Sequence, residues 1–417
     1  MNLIPKPHIQ ANNTLFVNQE KAVWTAMWGN AVSRPDHLPA EYAKDITLRY
    51  PVFAPFAGTA LRFRFDNYCG SEPITIADVY VSHKVKETIE DTPGTGFRGT
   101  LCDASTIVPI TFCGKTNITI APGKNILSDE IPFTVVAKEM LTISFYLPEF
   151  TQMNSCVFTS GPLSGGFFSK GNHSADRIFP VETARSTNWI YFLSDIDILT
   201  QPENHAVICF GDSITAQSWP DYLTLFLAEN ENNHISVIRK AVCGTRILRQ
   251  YDCVNYDSYG LMGKNRMPHE LNVTGATDII LQHGINDIIH PVGYKINQFR
   301  PMSDLPTASE LEDGFAWYIN QSRNAGLRVY GGTLVPIWNW RTYAPFREDL
   351  KNDFNDWIRN TDLLDDCMDF DLAVRDDENP VAFKKGYDSG DHLHPSEEAY
   401  QAMARCVQSK LNCRLVT

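Results

Sequence analysis

Two hydrophobic rhythms divide the chain. In the first, Leu61, Phe63 and Phe65 alternate with Arg62, Arg64 and Asp66, and Leu141, Ile143 and Phe145 alternate with Thr142, Ser144 and Tyr146. A period of two puts the apolar side chains on one face of an extended chain, so both segments predict half-buried strands. Further short apolar runs, at 74–76, 79–81, 118–120 and 133–136, are separated by Gly, Pro, Asn and Asp turn residues such as APGKN at 121–125. The pattern predicts an all-β, antiparallel sandwich of jelly-roll type over residues 1–200. WIYFLSDIDIL (189–199) reads as its final strand, leading to the linker TQPENH.

Over residues 201–417 the rhythm becomes strand, turn, helix, repeated. AVICF (206–210), HISVIRK (234–240), DIILQH (278–283), LRVYGGTLV (327–335) and CMDFDL (367–372) are short apolar runs without strict alternation, the mark of strands buried on both faces. Between them lie helical candidates at 219–228, 310–325 and 346–360. A last helix follows Ser396, with Tyr400, Met403, Val407 and Leu411 spaced along one face. This alternation predicts a doubly wound α/β fold with a parallel sheet.

In such a sheet, ligands bind beyond the carboxyl ends of the strands, so chemical side chains should follow strands directly. AVICF is followed by GDSIT, which puts Ser213 on a strand-to-helix turn beside free backbone amides; an ordinary helix cap is the alternative. HISVIRK is followed by AVCGTRIL, where Gly244 lets a backbone amide approach a ligand closely, or simply makes a turn. DIILQH is followed by GIND, where Asn286 offers an amide donor to a developing oxyanion, or caps a helix. SGDHLHP, before the last helix, sets Asp391 and His394 three residues apart, so one local turn can aim both inward. Two His and one Asp also suit a metal, but Cys and Glu support is missing. Jointly the motifs fill every role of serine acyl transfer. Ser213 is the nucleophile, His394 the base and Asp391 the carboxylate that orients it, with oxyanion donors from Ser213 N–H, Gly244 N–H and Asn286.

GDSIT, the glycine of AVCGTR, GIND and DHLH, in that order, resemble the four sequence blocks of the SGNH (GDSL-type) hydrolases, over about residues 205–413. WPDYL at 219–223 and YDSGDHLHP at 387–395 extend the match. WTAMWGNA, ITLRYPV, LRFRFDNYCGSEPITIADVYVS and ITIAPGKNILSDEI resemble the β-rich domain preceding the hydrolase domain in one GDSL-like lipase/acylhydrolase subfamily. The resemblance implies a catalytic triad of Ser213, His394 and Asp391, with Ser213, Gly244 and Asn286 as the oxyanion hole. The chain departs from the family pattern at His283, expected as a strand-end residue facing a helix, and at AVCG, where Cys243 is expected to pack.

Composition narrows the partners. With 36 Lys+Arg against 49 Asp+Glu, the net charge of −13 argues against nucleic acid and favours a neutral ester over an anionic one. Positions 1–20 contain no apolar run of signal-peptide length, and no stretch approaches the ~18 apolar residues of a membrane helix. A soluble, cytoplasmic enzyme without membrane insertion is expected. The ten cysteines form no CxxC pair and read as reduced core thiols, so neither a metal nor an organic cofactor is expected. The substrate class expected is a short-chain ester, with the O-acetyl group of a carbohydrate first. A longer-chain lipase or lysophospholipase and an inactive glycan-binding protein are the alternatives. Candidate substrate contacts are Asp212, Trp338 and Trp340, with Asn67 as a wall residue contributed by the β-rich region.

Overall fold

The structure, a computed structural model, describes residues 21–34, 42–85, 96–230, 233–250 and 259–414. Positions 1–20 and Cys253 lie outside the described residues. Antiparallel strands fill the first half and form two main sheets. In one, Val23–Gly29, Leu193–Thr200, Gly58–Asp66 and Ile131–Val135 are neighbours in that order; in the other, Ile46–Phe53 and Met140–Leu147 lie at the centre with Ile74–His83 beside them. The alternation of Gly58–Asp66 has its expected result: Leu61, Phe63 and Phe65 are fully buried, while Arg62 and Arg64 keep partial contact with solvent. Phe65 meets Phe145 of the other sheet edge to face at 5.2 Å, so the two inner faces share one core.

Three strands of this half differ from their sequence reading; the run 189–199 is two strands, Trp189–Tyr191 and Leu193–Thr200, broken at Phe192 (φ 62°). The runs 74–76 and 79–81 belong to one strand, because Asp78 adopts a left-handed conformation (φ 48°) inside a bulge instead of ending the strand. Met140–Leu147 is buried on both faces, including Thr142 and Ser144. The cover is the side chain of Arg49, which donates to Ser144 Oγ and to the carbonyls of Thr100, His173 and Asp176, and lies over the Phe179 ring at 4.3 Å.

From His205 onward five parallel strands form the second half. Their spatial order is Ile235–Ala241, His205–Gly211, Ala276–Gln282, Arg328–Gly332, Asp366–Met368. The strand first in sequence is thus flanked by the second and third, which makes its carboxyl end the switch point where the chain turns to opposite sides. Among the described residues eight helices accompany the sheet: α1 Ser213–Ala216, α2 Trp219–Ala228, α3 Gly263–Glu270, α4 Ile285–Ile289, α5 Ala308–Asn324, α6 Pro345–Asn360, α7 Phe370–Val374 and α8 Glu397–Arg414. Thr307 and Glu310 start α5 with a reciprocal capping box. CMDFDL is not one strand. It leaves the sheet after Met368, because the Asp369 carboxylate accepts from Leu372 N–H and caps α7.

The two halves meet along the edge of the parallel sheet. Ser236 Oγ donates to Ala26 O at 2.6 Å, and Asn30 bridges Arg239, so Val23–Gly29 runs beside Ile235–Ala241. Further along, His269 of α3 bonds Asp66 through Nε2 at 2.8 Å and stacks on Tyr68 at 4.0 Å. Burial opposes the charged imidazolium, but the hydrogen bond and charge of Asp66 outweigh it and raise the His269 pKa above its usual value. The pair therefore stabilises the fold fully below the unfolded histidine pKa, and that contribution is lost as pH rises through the raised value. As pH rises from below the usual histidine value through the raised one, His269→Gln is expected to remove part of the decline in stability. Melting curves of both proteins check this, and parallel pH dependences would reject it.

Candidate active site

Ser213 is the first residue of α1, directly beyond the central His205–Gly211 strand. The cap of that helix is its neighbour: the Asp212 side chain accepts from Ile214 N–H at 3.1 Å, which leaves the Ser213 hydroxyl free for other work. Ser213 Oγ lies 2.9 Å from His394 Nε2, across 181 residues of sequence. On the far side of the ring, His394 Nδ1 lies 2.6 Å from Asp391 Oδ2. A short turn before α8 fixes this pair, because Asp391 Oδ1 accepts from the backbone N–H of both Leu393 (2.9 Å) and His394 (2.8 Å). Partial burial works to raise the Asp391 pKa, but the His394 ring and these amides outweigh it and hold the carboxylate far below its ordinary range. With Asp391 ionised, His394 Nδ1 carries the proton and Nε2 faces Ser213 as an acceptor.

The loops after the second and third strands are tied to this turn. Val242 N–H donates to Gly211 O at 3.1 Å, which draws the 242–247 loop toward Ser213. Gly244 has φ +70°, and a Cβ there would fall 2.1 Å from the Tyr259 ring, so both conformation and space require glycine. Asn286 belongs to the first turn of α4, whose cap is Gly284 without any side-chain bond, so Asn286 does not cap. Its Nδ2 donates to Thr245 O at 3.0 Å, and an amide nitrogen has a second hydrogen to offer. Asp287 completes the tie by accepting from Ile247 N–H (2.8 Å) and Leu248 N–H (3.0 Å).

Behind this loop sits His283, fully buried, with Nε2 3.0 Å from Thr245 O and Nδ1 3.0 Å from Tyr318 OH of α5. A carbonyl only accepts, so Nε2 carries the proton and Nδ1 receives the tyrosine hydroxyl. Burial, with Arg266 nearby, pushes the pKa down to about 3 and keeps the ring neutral. It faces a helix, as its position at a strand end suggests, and it also buttresses the carbonyl that holds Asn286. Arg266 of α3 donates to Gly211 O and Lys240 O, carbonyls at the carboxyl ends of two strands. Sequence reading passes over α3, since GKNRMPHE contains Pro268 and little apolar periodicity; its one signal is Arg266 and Glu270 four residues apart.

The remaining predicted contacts separate. Asp212 is fully buried, so it holds the turn and cannot touch a substrate; burial first, against the Ile214 amide and His394, pushes its pKa up to about 7. Asn67 is also fully buried, with Nδ2 donating to the carbonyls of Glu72 and Ile120, so it secures a turn within the β-rich half and forms no wall of the site. Trp338 is 39% exposed and meets Tyr343 edge to face, and Trp340 lines a cavity considered below. His392 turns to Asp388, and no cluster of three metal-ligating side chains occurs among the described residues.

Residues 209–402 match the GDSL-like Lipase/Acylhydrolase family. The match takes in most of the α/β half, from the central strand through the Ser213 turn to α8. Among solved structures, the chain resembles a GDSL-like lipase from Bacteroides thetaiotaomicron, at 14% identity over 50% of this chain and 88% of that one, with a TM-score of 0.35. It also resembles an acetylxylan esterase from Geobacillus stearothermophilus, at 15% identity over 49% of this chain and 93% of that one, with a TM-score of 0.37. No curated protein matches the chain. No helix among the described residues is long and apolar enough to cross a membrane.

Proposed function

We propose that the protein is a serine esterase that removes short acyl groups, O-acetyl groups of a carbohydrate first among them, by a two-step acyl transfer. The observation that carries this reading is the unbroken relay from Ser213 Oγ through the His394 ring to Asp391 in a GDSL-like acylhydrolase domain. His394 Nε2 takes the hydroxyl proton as Ser213 Oγ attacks the ester carbonyl. The tetrahedral oxyanion is held by the N–H groups of Ser213 and Gly244 and the free hydrogen of Asn286 Nδ2. Collapse expels the alcohol, which His394 protonates, and leaves an acyl-enzyme on Ser213. Water, deprotonated by His394, then releases the acid. Asp391 stays ionised throughout and stabilises the imidazolium.

Narrow access supports a small acyl group, since Ser213 is only 8% exposed. The enzyme is expected to hydrolyse p-nitrophenyl acetate faster than p-nitrophenyl octanoate, and a fluorophosphonate is expected to label Ser213, as read by peptide mass. A preference for the octanoyl ester would replace the short-chain assignment with a lipase, and labelling at another residue would remove the nucleophile assignment. For the oxyanion donor, Asn286→Ala is expected to lower kcat about 10²-fold. A loss below about threefold would show that Asn286 only braces Thr245, since one missing donor costs far more.

A further inference from the structure

A cavity of about 430 Å³ opens beside the site, within the ~300–1,000 Å³ typical of small-molecule pockets. Its position follows from two contacts with the oxyanion residues. The Tyr259 ring, one wall, lies against Gly244. Ile289 and His290, another wall, follow Asn286 by three and four residues in the chain, about one helical turn or ~5 Å along the axis. Thr342 Oγ1 donates to Ile289 O at 3.0 Å and pins the loop that carries Trp340 and Arg341 to this end of α4.

The lining has a definite sign. It includes Arg300 and Arg341 and, among the described residues, no carboxylate. Arg300 is held in place, donating to Tyr259 OH at 2.7 Å with its guanidinium over that ring. Arg341 is exposed, lies 4.6 Å from the Trp340 ring centre, and has no hydrogen-bond or ion-pair partner among the described residues. Trp340 Nε1–H likewise has no acceptor. His290, pushed down to about 3 by burial and then by Arg246 and Arg341, stays neutral at the wall. The net charge of −13 is an average over the whole surface, and this cavity departs from it.

We propose that the cavity binds a carboxylate-bearing sugar ring, a uronate, within the substrate whose ester reaches Ser213. The placing of the ester rests on the esterase reading above; the binding of the uronate does not. A guanidinium presents a planar fork that matches a carboxylate, and the indole of Trp340, with its Nε1–H unpaired among the described residues, offers a ring edge and a donor to a pyranose. A phosphate headgroup would satisfy the charge but leave the Trp340 indole without a ring or an acceptor.

Titration calorimetry of the wild-type chain with trigalacturonate, xylotriose and glycerol 3-phosphate tests this without any turnover. Trigalacturonate is expected to bind at least about tenfold more tightly than xylotriose, the scale of one charge-assisted hydrogen bond. Arg341→Gln is expected to erase most of that margin and Arg341→Lys to keep part of it, with circular dichroism confirming the fold of both. Equal binding of the two sugars, or no binding of trigalacturonate, overturns the proposal. Tighter binding of glycerol 3-phosphate also overturns it, in favour of a headgroup site. Selective uronate binding by a protein that hydrolyses no ester would sink the esterase reading and leave this one standing; the reverse result would do the opposite.

Discussion

Ser213→Ala is expected to lower kcat on p-nitrophenyl acetate by about 10⁴-fold or more, while the protein remains folded. The size follows from the relay. Without Oγ there is no acyl-enzyme, and His394 has no proton to take from an attacking group. What remains is water attacking a carbonyl held by Gly244 and Asn286, the modest catalysis that an oxyanion hole and binding alone provide. Stability should hardly change, because the substitution removes one hydrogen bond to a half-exposed imidazole and leaves the α1 cap on Asp212. Steady-state rates with thermal unfolding of the same sample decide the matter. Activity within about tenfold of wild type would mean that another group attacks, since loss of a triad nucleophile costs orders of magnitude.

The legibility of this site in the sequence has a physical basis. Parallel strands point their carboxyl ends the same way, so residues just past Gly211, Ala241 and Gln282 converge although scores of positions separate them. Short apolar runs mark the strands, and polar residues after them mark the site. The same reasoning cannot say which residue of GDSIT caps the helix, because Asp and Ser are both good caps; geometry gives the role to Asp212. Nor does it find the supports. His283 and Tyr318 meet across 35 residues, and Tyr259 meets Gly244 only because two loops fold together. Nothing in the local pattern marks Arg49 or Arg266 for burial, yet both are buried against main-chain carbonyls. A charged letter in an apolar run signals an exposed face unless another part of the chain covers it, and local pattern cannot register that cover.

Lys240 is the case with the largest consequence for stability. HISVIRK reads as a buried strand that assigns no place to its terminal charge, and Lys240 is 3% exposed because the β-rich half covers that edge. Its Nζ donates to Asn30 O at 2.8 Å and to Asp195 Oδ1 at 2.8 Å, with Glu270 Oε2 at 3.7 Å. Burial pushes the Asp195 pKa up to about 6 even with Lys240 opposing it. Lys240→Ala would leave two buried carboxylates without their closest cation, with Arg64 and Arg266 left at 3.9 and 4.0 Å, and is expected to cost about 3–5 kcal/mol in urea unfolding. The pH dependence has a definite sign. A carboxyl whose folded pKa exceeds its unfolded value favours the folded state as pH falls, and removing Lys240 raises the folded value further. The deficit of the variant should therefore be largest at neutral pH and shrink as pH drops through the raised value. A loss below about 1 kcal/mol at pH 7, the range of exposed ion pairs, would show that Lys240 is solvated and that the two halves do not bury a charged seam.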